Sequence, residues 1–276
     1  MDERAARLAD QLTAGFYARC GESFSATRAG GWPGWSRLEG PLRAAARRAA
    51  DEGRALRVLD LGCGNLRFER WLEGLLPGAA VEAVGLDREP GLAAGALGAA
   101  AGAAGGGAGA GSDGPAAGLS AEVVAAEFGD GWGLPTALEG AFDVAVAFGL
   151  LHHLTGFRGR RAVMEGLARA LAPGGVAAAS FWRFLDDRRL VAKAREAMAD
   201  ALARWPGLAG QLGPGDAFLG WQGEEGVFRF CHAVDEAELD RLVAAATAAA
   251  PGVREAGRFS ADGRSGELNR YALLAR

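Results

Sequence analysis

The spacing of apolar residues differs between the start of the chain and the rest of it. Leu8, Leu12 and Phe16 recur every four residues, which predicts an amphipathic helix. A turn region rich in Trp and Gly follows, and an arginine-rich second helix is predicted over 41–52. We expect residues 1–55 to form a helical cap that precedes the main domain.

Beyond the cap, short apolar runs alternate with helical stretches. The predicted strands span 57–61, 81–86, 123–128, 142–148, 176–181, 253–260 and 268–275, and the predicted helices lie near 158–171, 187–204 and 235–249. Strand–helix alternation is typical of a mostly parallel sheet joined by right-handed crossovers. The predicted fold class is therefore α/β, with a doubly wound sheet of seven strands in one domain over 56–276.

Two segments interrupt this alternation. Residues 91–118 are almost entirely Ala and Gly, and such glycine-rich sequence does not hold regular structure. We expect a flexible insertion there, without a chemical role. Residues 182–230 separate the fifth strand from the last helix, and we expect a substrate lid at that position.

Composition limits the classes of function. The 276 residues are half apolar, which suits one large domain with appendages. No apolar run reaches the roughly 18–20 residues that a membrane helix needs, and the N-terminus shows no signal-peptide pattern. We therefore expect a cytoplasmic protein that does not bind membranes. Three widely spaced cysteines without a C-x-x-C pair indicate neither a disulfide framework nor a metal site.

A turn with two glycines joins the first predicted strand to a helix. It reads V-L-D-L-G-C-G-N over 58–65, and its glycines allow the backbone to approach a ligand beside the free N–H groups of the helix. A dinucleotide-binding corner would read G-x-G-x-x-G, but Arg67 replaces the third glycine. An acid before the first glycine suits a cationic or hydroxyl-bearing ligand. Asp87, which ends the second strand, is placed to accept hydrogen bonds from ribose hydroxyls.

Residues 60–65, D-L-G-C-G-N, resemble motif I of the class I S-adenosylmethionine (SAM)-dependent methyltransferases. The resemblance covers about 56–182, including F-D-V in strand four and L-A-P-G-G before strand five, and it implies a Rossmann-like fold with SAM as cofactor. Leu66 stands where the family commonly has glycine or a small residue. The resemblance implies that Asp60, Gly62, Gly64 and Asn65 bind the methionine end of SAM and that Asp87 binds the ribose. Glu127 or Phe128 would lie beside the adenine, and Asp130 is the alternative acid there. The other implied SAM-binding residues are Cys63, Arg88 and Phe148.

Shorter segments outside the SAM core resemble one branch of that family. They are F-S-A-T-R at 24–28 followed by Trp32-Pro33, G-L-L-H-H-L at 149–154, R-F-C-H at 229–232 and N-R-Y at 269–271. They are similar to the tRNA methyltransferases that esterify the carboxymethyl group of wobble uridine, including those fused to AlkB-type oxygenases in animals, and to their bacterial relatives. The resemblance implies tRNA as a partner, and a small zinc-containing activator protein as a second partner.

A carboxylate acceptor agrees with the residue types in these segments. A carboxylate is ionised at neutral pH and needs no general base, but it needs a positioned cation and exclusion of water. We therefore interpret Arg28, His153, Arg229 and His232 as the catalytic residues that hold the acid. If the acceptor were a hydroxyl or an amine, His152 or His153 would be the general base.

Other functions remain open at this point. One alternative is a small-molecule O- or N-methyltransferase of secondary metabolism, which the net charge of −4 favours. A second alternative is a SAM-binding scaffold without catalysis. Arginine clusters could bind RNA phosphates or simply lie on solvated helix faces, and they comprise Arg43, Arg47 and Arg48, then Arg158, Arg160 and Arg161, then Arg183, Arg188 and Arg189.

Overall fold

The computed structural model describes residues 1–27, 30–93 and 116–276. In chain order the strands are β1 (Leu56–Leu61), β2 (Ala80–Asp87), β3 (Gly118–Ala125), β4 (Phe142–Ala147), β5 (Leu171–Trp182), β6 (Asp216–Leu219), β7 (Arg229–His232), β8 (Arg254–Ala261) and β9 (Asn269–Ala275). The α-helices are α1 (Glu3–Ala26), α2 (Glu39–Asp51), α3 (Arg67–Leu75), α4 (Phe157–Ala170), α5 (Arg188–Arg204) and α6 (Glu236–Ala249). None of these helices is both long and apolar enough to cross a membrane.

Seven of the strands form one sheet in the order β3-β2-β1-β4-β5-β9-β8. The first five strands run parallel, and β9 pairs antiparallel with both β5 and β8. The predicted seven-stranded, mostly parallel α/β sheet is confirmed. The strand order reverses between β1 and β4, and ligands of open α/β sheets bind at the carboxyl ends of the strands at such a reversal.

Helices cover both faces of the sheet, so its central strands are buried on both sides. All six residues of β4 are buried, as are five of the six in β1. This explains why apolar residues occupy both faces of these strands rather than alternating, with only Arg57, Asp60 and Asp143 as polar exceptions. Residues of α4 and α6 pack on one face, for example Leu167 and Leu242, and residues of α2 and α3 pack on the other, for example Leu42 and Leu72.

The third strand differs from its prediction. It was expected over 123–128, but β3 begins at Gly118 and ends at Ala125. The strand lies at the edge of the sheet, and its exposed Ser120 and its Glu122 interrupt the apolar pattern. The sequence signal therefore favoured the apolar residues that follow the strand. Most of the insertion expected over 91–118 lies outside the described residues.

The cap expected over 1–55 divides between two parts of the molecule. Ala9 of α1 packs with Phe218 and Phe230 of the β6–β7 ribbon, and the Thr13 hydroxyl accepts a hydrogen bond from the Phe230 backbone amide at 2.9 Å. In contrast, Trp35 and the residues of α2 pack in the main core. Helix α1 and the segment expected as a lid, 182–230, thus form one cover over the carboxyl ends of the strands.

Candidate active site

A cavity of about 440 Å³ lies at the carboxyl ends of β1, β2 and β4, beneath α1 and β7. Its floor is the glycine corner between β1 and α3, and one wall is the segment that follows β4. Residues of α1 and Arg229 form the roof. The cavity therefore coincides with the reversal in strand order, where the topology predicts a ligand.

The glycine corner has the backbone shape that a closely bound ligand requires. Gly62 and Gly64 have φ values of +80° and +53°, which favour glycine. A Cβ atom on Gly62 would lie 2.9 Å from Leu150 Cβ, so a side chain does not fit there. Leu66 adopts φ 56° and ψ 37°, a left-handed conformation that costs a non-glycine residue about 1–2 kcal/mol. Its side chain is buried against Cys63, and this packing offsets the strain.

Asp87 is fixed at the edge of this corner by two backbone amides. One carboxylate oxygen accepts from Gly64 N at 2.8 Å and the other accepts from Glu89 N at 2.8 Å. Each oxygen retains a lone pair, because a carboxylate has about four acceptor positions. Asp87 lines the cavity, so it presents two oriented acceptors to adjacent hydroxyl groups of a ligand.

Asp60 gives the floor of the cavity an acidic character. Its side chain is buried, and its Oδ1 atom has no hydrogen-bond partner within the described chain. Burial and the neighbouring Glu69 carboxyl raise the pKa of Asp60 well above its usual range. An orphaned buried acceptor fits a ligand that brings a cationic N–H donor, which is the character of the methionine end of SAM.

The remaining residues expected around SAM separate into two groups. Cys63, Asn65, Arg88, Phe128 and Phe148 line the cavity together with the residues already described. Glu127 does not line the cavity, so the prediction that it lies beside the adenine is corrected. Its side chain is 78% exposed and pairs with Arg88 at 3.1 Å. Asp130, the rival acid, instead accepts from the backbone amide of Gly159 at 3.2 Å.

His153 lines the acceptor side of the cavity with a defined tautomer. Its Nδ1 atom lies 2.8 Å from the carbonyl oxygen of Phe230, which can only accept, so Nδ1 carries a hydrogen. Its Nε2 atom lies 2.8 Å from the Tyr17 hydroxyl, which donates to the neutral ring. The imidazole and the phenol therefore form one hydrogen-bonded pair that joins α1 to the segment after β4.

Arg229 is a buried cation inside a cage of aromatic rings. Its guanidinium carbon lies 4.7 Å from the Phe16 ring centre, 4.9 Å from Phe24, 5.7 Å from Trp182 and 6.0 Å from Trp221. The residue is only 5% exposed, and its Nε and Nη1 atoms have no hydrogen-bond partner among the residues that the structure describes. A buried charge of this kind is costly unless an anion pairs with it. Because Arg229 lines the cavity, the anion can come from a ligand.

Of the other two residues expected to hold an acid, only His232 lies among the described residues. His232 does not line the cavity: Nδ1 lies 2.6 Å from Asp216 and Nε2 lies 2.9 Å from Glu238. Since both ring nitrogens already have carboxylate partners in a buried network with Arg160, the assignment of His232 as an acceptor-binding residue was wrong. Arg28 lies outside the described residues.

Tyr17 is the main residue of this site that the sequence analysis missed. It lies on α1, and with Asp10 and Thr13 it forms a stripe at helical spacing that faces the cavity. The apolar stripe on the same helix, which includes Phe16, gave the stronger signal. A stripe of polar residues beside an apolar one could have indicated a second functional face.

One cluster also has the composition of a metal site. Ligand atoms of His152, His153 and Cys231 lie within 4.8 Å of one another. However, both nitrogens of His153 are engaged, and the positive charge of Arg229 lies beside the Cys231 thiol. This arrangement favours an anion over a metal cation.

Comparison with known proteins agrees with the fold and with the corner. A family model described as a methyltransferase domain matches residues 35–246. A SAM-dependent methyltransferase from Methanosarcina mazei has a TM-score of 0.54 at 14% identity, over 81% of this chain and 93% of that one. A protein from Pyrococcus horikoshii has a TM-score of 0.50 at 14% identity, over 87% and 89%. The search of curated proteins gave no significant match.

A SAM-bound amino pentose methyltransferase from Micromonospora echinaspora, involved in calicheamicin biosynthesis, is 16% identical with a TM-score of 0.47, over 92% of this chain and 95% of that one. The family model covers well over half of the chain, including the glycine corner and the strands around it. The chain therefore belongs to the class I SAM-dependent methyltransferases, and it is an enzyme whose cofactor is SAM.

Proposed function

We propose that this methyltransferase transfers the methyl group of SAM to a carboxylate, forming a methyl ester. The observation that carries the proposal is the buried guanidinium of Arg229, which lines the cavity and whose Nε and Nη1 atoms have no hydrogen-bond partner among the described residues. A carboxylate matches the planar fork of a guanidinium and would satisfy its free N–H groups. The aromatic cage would orient the fork and keep water away from the pair.

SAM, when bound, would supply an electrophilic methyl group that an anionic oxygen can attack in line, with the thioether of S-adenosylhomocysteine as the leaving group. The contribution of the protein is then position and desolvation rather than proton transfer. The fork of Arg229 would hold both carboxylate oxygens while a remaining lone pair of one oxygen faces the methyl group, and α1 would close the site from solvent. An ionised carboxylate needs no general base, so the Tyr17–His153 pair would act by shaping the acceptor pocket.

The arginine clusters bear on which molecule carries the carboxylate. Several of the arginines that could have formed a phosphate-binding face instead pair with carboxylates of the chain itself. These ion pairs are Arg43–Glu39, Arg48–Asp143, Arg160–Glu238, Arg161–Glu165 and Arg183–Glu236. An arginine held by a carboxylate of its own chain must give up that partner before it can contact an RNA phosphate. This observation favours a small carboxylic acid over carboxymethyluridine in the tRNA anticodon, the carrier that the sequence resemblance implied.

The chemical stability of the product tests the proposal. The enzyme is incubated with methyl-labelled SAM and either a panel of small carboxylic acids or tRNA that contains carboxymethyluridine. We expect labelled methyl groups that mild alkali releases as methanol, because esters hydrolyse under those conditions. The same incubation with Arg229→Lys, which keeps the charge but loses the fork, should give much less product.

A second candidate acceptor is a hydroxyl or an amine, with the Tyr17–His153 pair as general base. Alkali-stable product would establish this candidate and refute the ester. Binding of tRNA across a salt series distinguishes tRNA from a small molecule as the carrier of the acceptor group. An affinity for tRNA that falls steeply with salt indicates phosphate contacts. Addition of a small zinc-containing activator protein would be the further requirement in the tRNA case.

A further inference from the structure

A second buried acid lies beneath the glycine corner. Glu69, in the first turn of α3, is fully buried, and its carboxyl lies against that of Asp60, which is 3% exposed. Neither Oε atom of Glu69 nor Oδ1 of Asp60 has a hydrogen-bond donor in the part of the chain that the structure describes. Two carboxylates in contact, out of water and without a donor, repel each other strongly. One proton shared between them removes the repulsion and supplies the missing donor.

The surroundings of the pair favour this protonated state. Burial is the largest cause that raises the pKa of both groups, and the charge of Asp87 raises the pKa of Asp60 further. Arg67 and Arg70 oppose this effect more weakly. The titratable and charged groups that face the pair are thus Cys63 in the glycine corner, Asp87 at the end of β2, and Arg67 and Arg70 on α3.

We propose that Glu69 and Asp60 share one proton in the free enzyme, and that this proton leaves to solvent when the ammonium group of SAM or of its demethylated product, S-adenosylhomocysteine, binds against Asp60. The ammonium replaces the shared proton as the donor to Asp60 and keeps its own three hydrogens. The pair passes from one negative charge to two, and the ligand cation compensates the added charge. The sulfonium has no N–H and cannot fill this role, so SAM and its product should behave alike. Glu69 is then a positioning residue that acts through Asp60.

Calorimetric titration of the full chain tests this proposal. S-adenosylhomocysteine is titrated into the enzyme at pH 6–7.5 in buffers of different ionisation enthalpy. The slope of the observed binding enthalpy against the buffer ionisation enthalpy gives the number of protons released. We expect a release that approaches one proton toward the lower end of this pH range, with affinity rising up to tenfold per pH unit. 5′-Methylthioadenosine, which retains the adenosine and the sulfur but lacks the amino-acid end, should bind with no proton release. No release with S-adenosylhomocysteine, or equal release with both ligands, would overturn the proposal.

Variants separate this role from a structural one. Glu69→Gln replaces the shared proton with a permanent amide donor, so proton release should vanish while S-adenosylhomocysteine still binds within about tenfold of wild type. Asp60→Asn should weaken S-adenosylhomocysteine but leave 5′-methylthioadenosine unchanged. If Glu69→Gln does not fold, the buffer series on the wild-type enzyme still shows whether ligand binding releases the proton. If neither ligand binds at all, the assignment of the SAM site fails instead, and the two failures are distinguishable.

Discussion

Replacement of Arg229 by methionine should raise stability and remove activity. Within the described parts of the chain, the Nε and Nη1 atoms of this buried residue lack hydrogen-bond partners. An unsatisfied buried polar group costs about 1–3 kcal/mol, and the contacts with the aromatic rings return about 0.5–2 kcal/mol. Methionine fills much of the same volume without a polar N–H, so the midpoints of these two ranges leave a net gain of about 1 kcal/mol. For a chain of this size, that corresponds to a Tm increase of roughly 2 °C.

Activity of the same variant should change in the opposite direction. Removal of one partner from a buried hydrogen-bonded charge pair costs about 2–5 kcal/mol, so kcat/KM for the acceptor should fall roughly 30-fold to several thousand-fold. Differential scanning fluorimetry and methyl-transfer kinetics measure the two effects, and S-adenosylhomocysteine affinity should stay within about threefold as the control. A Tm that drops by several degrees would refute the reasoning, because it would show that the cation serves the fold rather than a ligand.

Three further predictions follow from the hydrogen-bonding groups of the site. Tyr17→Phe should keep at least a third of the transfer rate with a flat pH profile between pH 6 and 9, since an ionised carboxylate needs no base; a hundredfold loss would support the hydroxyl or amine acceptor. Burial opposes the charged form of His232, but its hydrogen bonds to Asp216 and Glu238 raise its pKa overall. The stability that His232 contributes to the fold is therefore fully present below about pH 6.5 and is lost as pH rises through the folded-state pKa of this residue. His232→Asn should thus destabilise the enzyme more at pH 6 than at pH 9 in urea unfolding, with transfer activity per folded molecule unchanged; a pH-independent loss would contradict this. Because burial raises the pKa of Glu69, the contribution of this carboxyl to wild-type stability should fall as pH rises above about 4.3. The stability of Glu69→Gln relative to wild type should therefore increase between pH 5 and pH 8; a constant difference would count against the shared proton.

Most of the sheet could be predicted from the sequence because its signals are local. Strands β1 and β4 are mostly apolar, with Arg57, Asp60 and Asp143 as the exceptions, since helices cover them on both faces. The β6–β7 ribbon could not be predicted in this way. Its two strands have four residues each, and they are stabilised by packing against α1, more than 200 residues away along the chain. The range predicted for edge strand β3 was also shifted along the chain, because one face of this strand meets solvent and polar residues interrupt its apolar pattern.

The same distinction applies to the site. Gly62, Gly64 and Asp87 come together through one turn and one neighbouring strand, so their proximity followed from the motif alone. The contact of Tyr17 with His153 joins residues 136 positions apart and appears only in three dimensions. His232 misled the sequence analysis because its neighbours in the chain resembled a substrate-binding segment, whereas its carboxylate partners come from β6 and α6.

Every role assigned to this site depends on binding of the adenosyl cofactor by the glycine corner and Asp87. Titration of the purified enzyme with S-adenosylhomocysteine tests this binding directly. Asp87→Ala is the variant, and Glu127→Ala, at an exposed neighbouring acid, is the matched control. We predict saturable binding that Asp87→Ala weakens about 10- to 100-fold through loss of charged hydrogen bonds, and that Glu127→Ala leaves unchanged. Absence of binding by the wild-type enzyme at millimolar ligand, or equal affinity in the Asp87 variant, would contradict it.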